Sequence, residues 1–83
     1  MWYVYIVECS DGTLYTGIAK DVHKRLHEHN HSDKGAKYTK VRRPVNLAYY
    51  ETQKNRSLAS KREYAIKKLS RQEKLLLIQN REV

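Results

Sequence analysis

The sequence of 83 residues contains little cysteine, proline and glycine, and it has no long apolar run. Its single cysteine, Cys9, cannot form an internal disulfide, which favours a reducing compartment. No apolar run approaches the ~18 residues needed to span a bilayer, and no secretory signal pattern is recognisable at the N-terminus. These absences argue against a disulfide-stabilised secreted protein and against a membrane protein. We therefore expect a cytoplasmic location.

Basic residues are present in clear excess. Seventeen lysines and arginines oppose nine aspartates and glutamates, which gives a formal charge of +8 at pH 7. A charge of this sign favours a polyanionic partner. Charge alone does not distinguish DNA from RNA, a ribosome or an anionic lipid surface. The length allows a single domain over residues 1–83 with a modest core.

Hydrophobic spacing and turn residues predict the element order ββαβαα. Strands are predicted at residues 2–9, 13–18 and 46–52, and helices at residues 22–30, 57–69 and from 71 onward. Asp21 is the expected N-cap of the first helix, and Ser70 with Glu73 matches a capping box at the start of the last. Residues 31–45, which contain Gly35 and Pro44, are expected to be irregular. This order predicts a small α/β (α+β) domain with a three-stranded, mainly antiparallel sheet flanked by helices.

The turn at Ser10–Gly12 determines which residues face each other across the first hairpin. A two-residue loop would pair Glu8 with Tyr15 and send Tyr5 and Tyr15 to opposite faces of the sheet. A three-residue loop with a left-handed glycine pairs Val7 with Tyr15 instead. The two tyrosines then share one face as diagonal neighbours. We expect the three-residue loop.

Two charged residues on the predicted helices are candidates for a site. Arg25 borders the apolar face of its helix, where a guanidinium can hold a phosphate through two parallel hydrogen bonds, although an ordinary exposed arginine is the alternative. Glu63 lies on the helical edge that Ala59 and Ile66 turn toward the sheet. An inward carboxylate needs a cation or a metal as its partner. One carboxylate suits Mg²⁺, and the alternative is a structural salt bridge to Arg25 or Arg62.

The triplets Val4-Tyr5-Ile6 and Tyr15-Thr16-Gly17, followed by Arg25 and Glu63, resemble the GIY-YIG nuclease superfamily in their order and spacing. The resemblance extends over essentially the whole chain and is greatest to the small bacterial proteins that consist of this domain alone. It implies the GIY-YIG fold and a metal-dependent nuclease that cuts DNA rather than RNA. With no second domain, selectivity would be for nucleic-acid structure rather than sequence, in repair or recombination. The alternative is a non-catalytic nucleic-acid-binding module that retains the fold.

The resemblance also implies roles for individual residues. Glu63 would bind one divalent ion, Mg²⁺ or Mn²⁺, and Arg25 would stabilise the scissile phosphate. One of Tyr5 and Tyr15 would activate the attacking water while the other orients the phosphate, and we favour Tyr5 as the base. A phenol can act as a base only if nearby cations lower its pKa. His29, one turn beyond Arg25, would orient the site or carry a proton, unless it is simply a half-buried histidine with satisfied hydrogen bonds.

A basic segment and a glycine complete the predicted nucleic-acid contacts. The segment carries five cations and one tyrosine: Lys34, Lys37, Tyr38, Lys40, Arg42 and Arg43. It is expected either to follow a phosphate backbone with Tyr38 stacked on an unpaired base, or to be a solvated loop with Tyr38 packed inward. Gly17 would allow close approach of the backbone to a phosphate, although a turn requirement explains it equally well.

Several remaining features bear on activity and assembly. Ile18 and Leu75 occupy places where some GIY-YIG proteins carry a lysine and an asparagine. The histidines of the first helix have i,i+4 spacing, but no cysteine or carboxylate completes a zinc site, so zinc is not expected. The apolar run 75–78 is expected to cover the sheet, with room for a dimer contact. A monomer or a weak dimer is therefore predicted.

Overall fold

Three antiparallel strands form the centre of the structure, a computed structural model that describes residues 1–80. They are β1 (Trp2–Glu8), β2 (Leu14–Ala19) and β3 (Asn46–Gln53), in the order β2-β1-β3. Because β1 is central and helices cover both faces of the sheet, its stretch 4–7 is buried throughout. The predicted antiparallel sheet of three strands is confirmed. The expected domain end at residue 83 lies outside the described residues.

The first hairpin has the predicted three-residue loop. The backbone N–H of Cys9 donates to the carbonyl of Thr13 at 2.8 Å, and Gly12 is left-handed with φ of +85°. A residue with a side chain would be strained at this φ. Val7 consequently lies opposite Tyr15 in the ladder. Because Tyr5 and Val7 are two residues apart, Tyr5 and Tyr15 lie on the same face of the sheet.

Four helices accompany the sheet. They are α1 (Val22–His31), α2 (Lys37–Lys40), α3 (Arg56–Lys67) and α4 (Arg71–Gln79). Asp21 accepts the Lys24 N–H at 3.0 Å as the predicted N-cap of α1. Ser70 and Glu73 form the predicted capping box of α4. Within residues 1–80, no helix has the length and apolarity needed to cross a membrane.

The short helix α2 was not predicted, because residues 31–45 were expected to be irregular. The carbonyl of Ala36 accepts the N–H of Thr39 at 3.0 Å and also its hydroxyl at 2.9 Å. A single turn is too short to produce an apolar periodicity in the sequence. Thr39 is completely buried beneath this turn. Its contact with His29 of α1 links the basic segment to the sheet, because His29 also contacts Tyr5 of β1.

Two hydrophobic clusters hold the helices to opposite faces of the sheet. The cluster on the α1 face comprises Tyr5, Val7, Cys9, Ala19, Val22 and Val45. The cluster on the α3 face comprises Val4, Ile6, Tyr49, Ala59 and Ile66, with Leu77 and Ile78 of α4 packed against it. Each large apolar side chain buried in this way contributes ~1.5–3 kcal/mol. The hairpin register therefore places both motif tyrosines on the α1 face, while Glu63 belongs to the helix on the other face.

Candidate active site

A hydrogen bond between β1 and α1 forms the centre of the candidate site. The hydroxyl of Tyr5 lies 2.8 Å from Nε2 of His29, and both residues are almost completely buried. The rings meet edge to face, with centroids 5.8 Å apart. His29 reaches Tyr5 because it belongs to the apolar face of α1 that packs on the sheet. Two predicted site residues separated by 24 positions are thus in direct contact.

The second ring nitrogen of His29 is held by the basic segment. Nδ1 lies 2.8 Å from Oγ1 of Thr39, whose hydroxyl donates to the Ala36 carbonyl. Because that hydroxyl has one hydrogen, it accepts from His29, which places the imidazole proton on Nδ1. The Ala36 N–H also points at Nδ1, but at 3.4 Å this contact is too long to compete. Nε2 is then unprotonated and accepts the Tyr5 hydroxyl proton.

Burial shifts the pKa of both partners away from their usual values. Burial raises the pKa of Tyr5 to about 12, although the nearby Arg25 guanidinium lowers it and Glu63 raises it slightly. Burial also lowers the pKa of His29 to about 4, and the Arg25 charge adds to this effect. Both side chains are therefore neutral at neutral pH. The Arg25 cation lowers the pKa of the Tyr5 phenol, as expected, but desolvation outweighs it in the protein alone, so the pKa is raised.

Gly17 of β2 lies directly against Tyr5. The two residues are partners in the ladder, and a β-carbon at residue 17 would lie 2.5 Å from the Tyr5 phenol oxygen. No side chain fits there unless the ring moves. The glycine thus has a structural role that neither a turn nor a bound phosphate is needed to explain. Its predicted contact with nucleic acid stays a prediction.

Arg25 stands at the edge of this site, with its side chain 29% exposed. Its Nη1 donates to the Glu28 carboxylate at 3.0 Å and to the backbone carbonyl of Lys34 at 2.8 Å. Part of the guanidinium is therefore anchored. Its charge still lowers the pKa of Tyr5. A positively charged fork fixed beside a buried phenol is well suited to bind one phosphate group.

Glu63 forms neither of the two salt bridges considered from the sequence. Its carboxylate is 23% exposed and pairs with Lys67 one turn along α3, at 3.2 Å. Arg62 instead pairs with Glu51 of β3 at 2.9 Å, and Arg25 pairs with Glu28. The Glu63 carboxylate is thus partly accessible, and Lys67, the cation that pairs with it, is itself half-exposed. Among residues 1–80, no group of three or more histidine, cysteine or acidic side chains could hold a metal ion.

Tyr15 and Tyr38 extend the site toward the basic segment. Tyr15 contacts the His29 ring at a centroid distance of 5.5 Å, and its ring stacks on Tyr38 at 5.8 Å with 22° between the planes. The guanidinium of Arg42 lies 3.9 Å from the centre of the Tyr38 ring. Tyr38 is still 39% exposed. The predicted stacking of Tyr38 on a base must therefore compete with two neighbours already in contact with its ring.

The five cations of the basic segment fall into two groups. Lys34, Lys37 and Lys40 are exposed, so their ammonium groups are accessible to a polyanion. Arg42 bonds to Asp11 and to the Tyr38 carbonyl, whereas Arg43 donates to the carbonyls of His29 and Ser32, both at 2.6 Å. Arg43 thus caps the end of α1. Phosphate binding by the segment stays a prediction, and the geometry favours the lysines.

Thr39 was not identified as a site residue from the sequence. It lies inside a charged segment, and nothing in the sequence distinguishes it from Thr52, which is exposed. Its importance depends on a contact ten residues away, in which its oxygen receives the His29 proton.

The three other histidines of α1 are exposed, and the rings of His27 and His31 contact each other at 4.7 Å.

Known proteins share both the sequence and the fold. The GIY-YIG catalytic domain model matches residues 1–76. A UPF0213 protein of Desulfotalea psychrophila is 61% identical over 77 residues, which cover 93% of this chain and 70% of that protein. A UPF0213 protein of Staphylococcus aureus is 61% identical over 79 residues, which cover 95% of each.

Two solved structures are similar to the chain. The solution NMR structure of a UPF0213 protein from Bacillus halodurans has a TM-score of 0.62 at 43% identity, covering 98% of this chain and 86% of that one. The solution NMR structure of a protein from E. faecalis has a TM-score of 0.63 at 42% identity, covering 93% and 81%. These similarities support a nuclease-like function, which implies a nucleic-acid substrate. Domains of this family generally use divalent metal ions. The chain belongs to the GIY-YIG catalytic domain family and, within it, to the UPF0213 proteins.

Proposed function

We propose that the protein is a metal-dependent nuclease that hydrolyses phosphodiester bonds of DNA, selecting its substrate by structure rather than by sequence. The observation that supports this most is the hydrogen bond of 2.8 Å between Tyr5 and His29 beside the Arg25 guanidinium. It joins a proton donor, a neutral acceptor and a phosphate-binding cation in one place. We further propose a cytoplasmic location, on the grounds given by the sequence.

Tyr5 is the residue we assign as the base, acting together with His29. Its raised pKa means that no phenolate is present beforehand, so the phenol must release its proton as it takes one from the attacking water. The unprotonated Nε2 of His29 receives that proton, and Nδ1 keeps its own proton toward Thr39. Among residues 1–80, no hydrogen bond from the Tyr15 hydroxyl provides an equivalent acceptor. We therefore assign Tyr15 to support of the His29 ring and contact with the phosphate.

Arg25 is proposed to bind the scissile phosphate and to change the basicity of His29 at the same time. Its charge is one cause of the low pKa of His29, after burial. A bound phosphate would neutralise that charge and raise the pKa of His29. The imidazole would then be a better proton acceptor only when substrate is present. The same phosphate–guanidinium contact would stabilise negative charge in the transition state.

Glu63 fits the requirements of a weakly held divalent ion. Its carboxylate is partly exposed, and its partner Lys67 is exposed and can move away. One such carboxylate suits Mg²⁺ or Mn²⁺, which keep several waters and take further oxygens from phosphate. When bound, the ion would neutralise charge on the phosphate and lower the pKa of a bound water.

The surface charge is proposed to provide affinity without sequence recognition. The exposed Lys34, Lys37 and Lys40 would contact phosphates, which makes binding depend strongly on salt. Contacts of this kind give position along a backbone but do not identify bases. Selectivity would then come from strand ends, flaps or branches, as in DNA repair or recombination.

A non-catalytic nucleic-acid-binding module is the second candidate. The observation in its favour is the large difference between the two pKa values, which are about 12 for Tyr5 and about 4 for His29. Proton transfer between these two groups is unfavourable unless substrate and metal change their surroundings. A chain that had lost turnover would keep the same fold and basic surface.

Cleavage by matched variants tests the proposal. Wild type, Glu63→Ala, Tyr5→Phe and the control Glu8→Ala, which removes an exposed carboxylate at the end of β1, would be incubated with Mg²⁺ or Mn²⁺. The substrates are labelled single-stranded, duplex, flap and branched DNA, and RNA. We expect wild type and Glu8→Ala to cut DNA, and the other two to bind it without cutting.

The contrary outcomes are distinct. Equal, salt-sensitive binding by all four proteins with no cut strand would establish the binding module instead. Cleavage that persists in Glu63→Ala would remove the assigned metal ligand. Cleavage of RNA alone would overturn the choice of DNA.

A further inference from the structure

A second concave site lies on the α1 face, beyond Tyr5 along the central strand. It is a cavity of about 330 Å³ lined by Tyr3, Lys20, Asp21, Val22, His23, Leu47 and Tyr50. Tyr3 lies two residues before Tyr5 on the same face of β1, about 6.6 Å away along the strand. The volume is at the lower end of the range for small-ligand sites. The roles proposed above for the Tyr5 and His29 pair leave this cavity unused.

Two tyrosines give the cavity an aromatic wall. The rings of Tyr3 and Tyr50 are 6.0 Å apart, inclined at 59°. Tyr50 is opposite Tyr5 in the ladder and is 39% exposed. The aliphatic side chains of Val22 and Leu47 complete the apolar lining. Aromatic rings beside aliphatic groups favour a flat, apolar-faced ligand, and a nucleobase has that shape.

The charges around the cavity indicate which part of a nucleotide could lie inside it, the base or the phosphate. Lys20 and His23 are exposed, and the Lys20 ammonium favours an anionic ligand nearby. Asp21 also lines the cavity, and one of its carboxylate oxygens accepts the Lys24 N–H as the N-cap of α1. A fixed carboxylate disfavours a phosphate inside the cavity itself. These charges allow one arrangement, in which an uncharged base lies inside the cavity and its phosphate lies outside, toward the lysines.

A shallow groove adjoins the cavity and is lined at its other end by Arg25. It has a volume of about 200 Å³ and shares Lys20 and Asp21 with the cavity, then continues past Lys24 to Arg25 and Glu28. Its lining carries three cations, Lys20, Lys24 and Arg25, beside the carboxylates of Asp21 and Glu28, which accept from the Lys24 N–H and from Arg25. A nucleic-acid strand whose phosphate is held by Arg25 would run along these cations, and the next nucleotide would arrive at the cavity.

We propose that this cavity binds one unpaired nucleobase adjoining the scissile phosphate. The inference rests on the proposed function, because it takes Arg25 as the phosphate site. A base can enter only if it is unpaired and unstacked, which costs little in a flap, an end or a single strand and much more in a duplex. The cavity would thus be the source of the structure selectivity proposed above.

Binding measurements on uncleaved DNA test the proposal separately from catalysis. All proteins carry Glu63→Ala, and the probes are a fluorescent single-stranded decanucleotide and a duplex of the same sequence, at one fixed salt concentration. Tyr50→Ala should weaken binding of the single strand about fivefold or more, as expected for one lost stack, with duplex affinity unchanged. Tyr50→Phe keeps the ring and should bind both as before. Tyr64→Ala, a change at an exposed tyrosine of α3, is the matched control.

NMR gives a second measurement that does not depend on the fold of any Tyr50 variant. The single strand should shift the backbone amide signals of Tyr3, Val22, Leu47 and Tyr50 in the Glu63→Ala protein, whereas the duplex should not. Equal loss of single-strand and duplex affinity in Tyr50→Ala, or single-strand shifts confined to the Lys34–Lys40 region, would overturn the cavity as a base site. Failure of the parent protein to bind either probe would instead refute the proposed function, and the cavity proposal with it.

Discussion

Gly17 and Tyr5 are so close that a β-carbon on one would lie 2.5 Å from the phenol oxygen of the other. They face each other across the β1–β2 ladder, and the space above the glycine is filled by the tyrosine ring. The absence of a side chain at residue 17 therefore allows the phenol to reach His29. The second motif triplet thus acts on the first through direct contact.

Gly17→Ala should displace the Tyr5 ring and break its hydrogen bond to His29. We expect a loss of about 1–3 kcal/mol in the free energy of unfolding, the usual cost of overpacking, and cleavage reduced about 100-fold or more. Urea denaturation and single-turnover cleavage measure the two effects. A double-mutant cycle with Tyr5→Val provides the control, because Gly17→Ala should cost much less stability once the ring is absent. Equal costs in both backgrounds would contradict the contact.

The buried His29 should make the stability depend on pH in a defined direction. Its pKa is about 4 in the folded protein and about 6.5 unfolded, so the unfolded chain binds more protons between these values. Stability is therefore fully present above pH 6.5 and falls as the pH decreases toward 4, by roughly 3 kcal/mol in total. Urea denaturation at intervals of pH would measure the slope. His29→Asn should flatten it, while His27→Asn, a change at an exposed histidine, should not.

The comparison of wild type with the two histidine variants also separates the contribution of His29 to the pH dependence from that of the acidic residues. Carboxylates contribute to the pH dependence of wild type and of both variants, so the difference between the curves reports on the histidine. Identical slopes for wild type and His29→Asn would show that the imidazole is charged or accessible in the folded protein.

Thr39→Val should disturb the proton on His29 without a large change in shape. The hydroxyl that accepts from Nδ1 is lost, so we expect about 1–2 kcal/mol of destabilisation and about tenfold lower kcat with little change in KM. The ¹⁵N signals of the ring report the tautomer directly. Wild type should carry its proton on Nδ1, and the variant should show a mixture. Thr52→Val, at an exposed threonine of β3, is the matched control, and a wild-type proton on Nε2 would refute the assignment.

Replacement by methionine of Arg62 and of Lys67, two cations of α3, should have clearly different effects on stability. Arg62 bonds to the Glu51 carboxylate, which is 19% exposed and also accepts from Tyr49 and Gln53. Arg62→Met should therefore cost about 1–3 kcal/mol of stability. Lys67→Met breaks only a half-exposed pair, so it should cost less than about 1 kcal/mol.

Lys67→Met has a second expected effect, on the metal. With the competing ammonium removed from Glu63, half-maximal cleavage should require less Mg²⁺ than in wild type. Metal titrations of the two proteins under single-turnover conditions would show the shift. An unchanged or higher Mg²⁺ requirement would argue against Glu63 as the metal ligand.

Local chemistry in the sequence was sufficient to predict the hairpin and the starts of α1 and α4. The three-residue turn at Ser10–Gly12 sets the β1–β2 register, because one residue more or less would move Tyr15 to the other face of the sheet. Asp21 and the Ser70–Glu73 pair begin their helices through bonds spanning three residues. Interactions over so few residues depend only on neighbouring residue types. The order and spacing of the motif residues likewise indicated the GIY-YIG family before any contact was known.

Only the tertiary structure decided how those residues act on one another. The Tyr5–His29 bond joins two elements, and the Thr39 acceptor comes from a turn without periodicity. The direction of the Tyr5 pKa shift depended on whether burial or Arg25 has the larger effect, and burial prevails. Arg43 was assigned to nucleic acid from its charge, yet its guanidinium caps α1. Burial and long-range contacts depend on the packing of the whole chain, whereas turn chemistry and spacing are local properties of the sequence.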